Sequence, residues 1–69
     1  MKISARNVLK GKVESITPGA VNSEVVITLD GGEKITSIIT RTSAENLGLE
    51  KGKEVYAVVK ASNVMIATD

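Results

Sequence analysis

Apolar and polar residues alternate along most of this chain with a period of two, the spacing of strands whose two faces meet different surroundings. From Ser4 to Glu14 the odd positions Ala5, Leu9, Gly11 and Val13 are apolar or small, with Asn7 the exception. The even positions Ser4, Arg6, Lys10, Lys12 and Glu14 are polar, apart from Val8. A first strand is expected from Ser4 to about Ile16. Thr17-Pro18-Gly19-Ala20 ends it, because proline fixes φ and glycine accepts positive φ. Asn22–Asp30 repeats the alternation, with Val25, Ile27 and Leu29 facing one way and Glu24, Thr28 and Asp30 the other. Asp30-Gly31-Gly32 is a hairpin signal suited to a primed turn, and Glu33–Thr40 returns as a third strand rich in Ile and Thr. Val55, Ala57 and Val59 mark one face of a fourth strand, Glu54–Lys60, and Asn63–Thr68 is expected as a fifth, linked through Ala61-Ser62.

Between the third and fourth strands the period changes. Thr42 followed three residues later by Glu45 fits a capping box, and Gly48 is placed for a C-terminal cap, so one or two helical turns are expected there. Five short strands with one short helix between strands 3 and 4 is the element order of an all-β, OB-like barrel. No internal repeat or linker divides the chain, and a single domain over residues 1–69 is expected. Val8, Val26, Ile38 and Val58 fall on faces that the alternation assigns to solvent. An oligomer would bury them against a neighbouring copy.

Composition strengthens that expectation. The chain is 42% apolar, yet has one Tyr and neither Phe nor Trp, so its core must come from aliphatic side chains. A chain this short buries only about 60% of the surface its unfolded form exposes. It also has no Cys for a disulfide and no His, so self-association is the readiest remaining source of stability. The same absences remove a thiolate nucleophile, the usual general base and the commonest transition-metal ligand. The acids are scattered singly, so no bare cation site is expected, and the reading is of a protein that is not an enzyme and carries no cofactor. A net charge of +1 and a lone aromatic argue against an OB-type nucleic-acid binder, which would stack bases along a basic groove. No apolar run approaches the ~20 residues of a membrane span, and no basic-plus-apolar leader precedes the first strand, so a cytoplasmic protein is expected.

The candidate chemistry is a collection of hydrogen-bond donors. Ser4 and Arg6 share parity, as do Lys60 and Ser62, so each pair sends a hydroxyl and a cation from the same face of its segment. Thr42 and Ser43 stand at a helix start, where backbone N–H groups lack partners. A small, fully deprotonated tetrahedral dianion suits such a shell, because every one of its oxygens only accepts hydrogen bonds. Phosphate near neutral pH still carries a proton and needs an acceptor as well. Molybdate, tungstate or sulfate are therefore the expected ligands. A structural or regulatory oligomerisation module, without a ligand, is the alternative reading.

Ser4-Ala5-Arg6-Asn7, Arg41-Thr42-Ser43-Ala44 and Lys60-Ala61-Ser62 together resemble the molbindin, or Mop, domain of molybdate-binding proteins. The likeness covers essentially the whole chain. It implies intracellular storage or buffering of molybdate by a homo-oligomer of OB-like subunits, a hexamer in single-domain members, with oxyanions held between subunits. Related domains end the molybdate-transport ATPase and occur in molybdate-responsive transcription regulators. The family's motif residues fall on Ser4, Arg6, Thr42, Ser43, Lys60 and Ser62. The family also has a second kind of site near a symmetry axis. The Gly19-Ala20-Val21-Asn22 turn is the candidate for it, through a nest of successive N–H groups, with plain chain reversal as the other reading of that turn.

Overall fold

The computed structural model describes residues 1–69 and places strands at Asn7–Pro18 (β1), Asn22–Leu29 (β2), Lys34–Thr40 (β3) and Glu54–Val59 (β4), with one helix, Arg41–Asn46 (α1), between the last two strands. The strands form one antiparallel sheet in the order β3-β2-β1-β4, curved into a half-barrel. Four strands form, not the five expected. Asn63–Thr68 has the alternation of a strand but pairs with neither edge of the sheet, β3 or β4, and a strand without a ladder partner is not held extended. Ala61–Asn63 instead makes a single 3₁₀ turn, and the tail beyond leaves Met65 and Ile66 94% and 89% exposed. The same limit moves the start of β1. Its ladder with β4 runs from Lys12↔Glu54 to Asn7↔Val59, so Ser4 to Arg6 lie beyond the last pair and outside the strand.

The alternation otherwise governs which face is inside. Val13, Val25, Ile27 and Ala57 form the buried cluster, with Ile16, Leu29, Ile35, Ile39, Leu49 and Val55 packed around it. Ile16 joins that face although its parity is even. A bulge at Glu14 takes the register from Val13↔Ile27 to Ser15↔Val26, and the added residue turns the rest of β1 over. On the outer face Val8, Ile38 and Val58 are exposed, while Val26 is half-buried. Gly11 lies where β1 and β2 approach closely: a Cβ there would stand 2.5 Å from the Thr28 carbonyl oxygen.

The hairpin and the helix both form with different local chemistry from that expected. Leu29 N–H donates to Glu33 O at 2.7 Å, which closes a three-residue loop, and within it only Gly32 takes positive φ (+95°). This is the pattern of a turn followed by a glycine bulge, not a two-residue primed turn. The helix starts directly from the end of β3, so its N-cap is Thr40 in place of Thr42. Thr40 Oγ1 accepts the Ser43 N–H at 3.0 Å and donates to Ser43 Oγ at 2.8 Å. Glu45 is then free of the expected capping box and pairs with Arg41 Nε at 3.3 Å. Gly48 does end the helix, at φ +62°, with its N–H on Glu45 O and that of Leu49 on Ala44 O, a Schellman arrangement. Lys53 Nζ adds bonds to the carbonyls of Leu47 (2.7 Å) and Gly48 (3.2 Å).

Three measurements test this account. Gly11→Ala is expected to cost about 1–3 kcal/mol by forcing β1 from β2, read as a lowered Tm; an unchanged Tm would mean the strands separate freely. Thr40→Ala is expected to cost about 1 kcal/mol for the lost cap, with Thr42→Ala near neutral, and the reverse order would restore the capping box. The third concerns Glu14, whose carboxyl is held below the usual carboxylate range, first by the hydrogen bond from Lys34 (3.0 Å) and then by that from Thr28 (3.1 Å). A depressed carboxyl contributes stability above its unfolded-state range and loses it as pH falls through the folded value. The Tm difference between the native chain and Glu14→Gln should therefore shrink on acidification from about pH 7 to about pH 3; a constant difference would discount the contact.

Candidate functional site

Because Asn7 and Val59 are the last pair of the β1–β4 ladder, the segments beyond them leave the sheet at the same end. Ser4 and Arg6 arrive on one side and Lys60, Ala61 and Ser62 depart on the other. Between them lies an open depression of about 560 Å³, lined by Ser4, Arg6, Lys60 and Ser62 together with apolar residues that include Ile3 and Val58. Four of the six expected site residues are thus brought together by the fold of one chain.

The electrostatics of this opening are one-sided. Its lining holds two cations and no carboxylate. The chain's three ion pairs are Lys10–Glu54, Lys34–Glu14 and Arg41–Glu45, so neither Arg6 nor Lys60 has an acidic partner. Such a lining offers a planar guanidinium fork, a mobile ammonium and two hydroxyls to an incoming group. It can bind and orient an anion, and it holds no nucleophile–base pair.

Thr42 and Ser43 stand elsewhere. Arg41 N–H donates to Val21 O at 2.8 Å, which fixes α1 beside the turn that follows β1, at the far end of that strand from Arg6. Straight, eleven residue steps of extended chain would span roughly 36 Å, more than the 35 Å longest dimension of the molecule; β1, bulged and curved, falls short of that, and no residue lining the opening comes from α1. One small anion cannot touch both ends of a single copy. Thr42 is exposed, and Ser43 carries its hydroxyl beside that of Thr40. The Thr40 hydroxyl was not singled out from sequence; Thr-x-x-Ser at the end of a strand was the available signal, hidden by the competing Thr-x-x-Glu. In the Gly19-Ala20-Val21-Asn22 turn the Gly19 N–H is already donated to Asn22 O at 2.8 Å, while Ala20 and Val21 are exposed. No helix of the chain is long and apolar enough to cross a membrane.

Comparison with known proteins agrees in extent and in fold. The TOBE domain family matches residues 3–66. Molybdenum-pterin-binding protein 2 of Clostridium pasteurianum is 56% identical over 66 residues, which cover 96% of this chain and 97% of that protein. The solved structure of MopII from the same organism, in an apo form, superposes with a TM-score of 0.93 at 54% identity, over 97% of this chain and all of that one. The cytoplasmic molybdate-binding protein ModG, solved with molybdate bound, superposes with a TM-score of 0.90 at 49% identity; the match covers 94% of this chain and 46% of ModG. Full-length identity of this order, on the same half-barrel, places the chain in the TOBE domain family, among its molybdenum-pterin-binding (Mop, or molbindin) members.

Proposed function

We propose that this protein reversibly binds molybdate, or the similar tungstate, and so stores and buffers it in the cytoplasm without chemical conversion. The observation that carries this reading is the carboxylate-free opening in which Arg6 and Lys60 stand unpaired beside Ser4 and Ser62. Two cations offset the two charges of the anion and lower the cost of removing it from water. The hydroxyls complete a shell of donors around oxygens that can only accept. Relatives that bear molybdenum or molybdate in their names support the identity of the anion.

On this reading the site is shared between copies. Thr42 and Ser43, with Thr40 beside them, lie too far from Arg6 to serve the same anion within one chain, so a second copy supplies them across a homo-oligomer interface. A hexamer is the proposed assembly, and bound ligand stabilises it by mass action. The Gly19–Asn22 turn is kept as the proposed place of a second, backbone-lined site.

Calorimetric titration tests the whole of this. Molybdate and tungstate are expected to bind more tightly than phosphate, with sulfate as the smaller dianion for comparison, and a short oligonucleotide to give no heat. Arg6→Ala should weaken molybdate binding by about 100-fold, as the loss of a charged hydrogen-bonded contact of ~3 kcal/mol. Undiminished affinity in that variant would remove the assigned site. Silence with every oxyanion would leave an oligomerisation module, and binding of the oligonucleotide alone would leave a nucleic-acid barrel.

A further inference from the structure

Asn7 breaks the apolar pattern of its strand, and the structure shows where its side chain goes. It sits half-buried on the face of β1 that carries Gly11 and Val13 into the core. An amide there costs free energy unless it is hydrogen-bonded, whereas an aliphatic side chain would simply pack. Its Nδ2 donates to the carbonyl oxygen of Val59 at 3.2 Å, joining residues 52 positions apart. A carbonyl only accepts, so the amino end of the amide must face it.

The place of this bond matters more than its strength. Asn7 and Val59 are the final pair of the β1–β4 ladder, and the next residues along are Arg6 on one segment and Lys60 on the other. Beyond that pair no ladder holds the two segments together. The Asn7 amide is thus the last link before the two cations, which repel each other when no anion lies between them. We propose that Asn7 is a positioning residue: its bond to Val59 holds the Arg6 and Lys60 segments at the separation that fits the oxyanion. This rests on the oxyanion reading above and adds to it a residue that touches no ligand. Fixing the gap raises affinity by avoiding the cost of ordering the cations at binding, and it lets the opening distinguish anions by size.

The test is titration of the native protein, Asn7→Leu and Asn7→Gln with molybdate and with the smaller sulfate, alongside ligand-free Tm. Leu removes the donor and suits the apolar face; Gln keeps a donor on a longer arm. Asn7→Leu is expected to bind molybdate about tenfold more weakly, the equivalent of one net hydrogen bond. Its ligand-free Tm should be unchanged or raised, its preference for molybdate over sulfate should fall, and Asn7→Gln should recover part of the loss. Asn7→Ala replaces Asn7→Leu in the same comparison if the larger side chain prevents folding. Native affinity and selectivity in the donor-less variant would overturn the proposal. So would a parallel fall in both affinities and in ligand-free Tm, which marks a role in folding alone. If the native protein itself binds no oxyanion, the reading beneath falls too; if it binds and the variant matches it, only the positioning role falls.

Discussion

Two cations of like sign stand at one end of the sheet because the β1–β4 ladder, closed by the Asn7 side chain, holds their segments there. Backbone pairing is well suited to this. Its bonds run from Lys12↔Glu54 to Asn7↔Val59 and do not depend on the charges beyond them. Repulsion between Arg6 and Lys60 is moderated by solvent at this exposed place, and an anion that enters turns it into attraction. The energetic contrast between the empty and the occupied opening is therefore larger than the contacts of either cation alone would give.

That ladder leaves other demands unmet. The sheet has one well-covered face, and only 7 of 69 residues are buried, none of them aromatic. Its other face shows Val8, Ile38 and Val58 to solvent, and the tail adds Met65 and Ile66. Isolated apolar residues on a surface need no explanation, but a run of them on a face and a tail of one small chain points to cover from elsewhere. The proposed self-association supplies it and serves the site as well. Hydroxyls on α1 and cations beside β4 occupy opposite ends of β1, so any anion that needs both must join two copies. Stability and binding then become one linked equilibrium.

Inward and outward positions were legible in the sequence because a sheet translates period two directly into two faces: Val25, Ile27, Val55 and Ala57 are placed as their spacing requires. Ile16 was not, since a bulge at Glu14 is a matter of register between strands and leaves no mark in one strand's own pattern. Boundaries failed for a related reason. Ser4–Arg6 and Asn63–Thr68 have strand-like sequences, but pairing decides, and their partners are missing within the chain. The helix cap went to Thr40 because the chain turns immediately after β3, and two overlapping cap signals cannot be ranked without that backbone. Of the proposed site, the grouping of the cations was readable: parity grouped Ser4 with Arg6 and Lys60 with Ser62, and antiparallel pairing brings the two groups to one opening. The distance to Thr42 and Ser43 was not, because separation along a folded strand is a property of the sheet.

On the proposed reading, selection among anions follows from what the opening leaves out. Sulfate, molybdate and tungstate share charge and tetrahedral shape near neutral pH, so a shell of donors treats them alike except in size. Phosphate differs in kind, because its proton needs an acceptor, and the lining provides no carboxylate. A single acid in that lining would help protonated phosphate and repel the bare dianions, and would also take up one of the two free cations. Glu45, the acid closest in sequence to the hydroxyl pair, is held by Arg41 on α1. With no histidine in the chain, the residue that ordinarily switches charge near neutral pH is also absent.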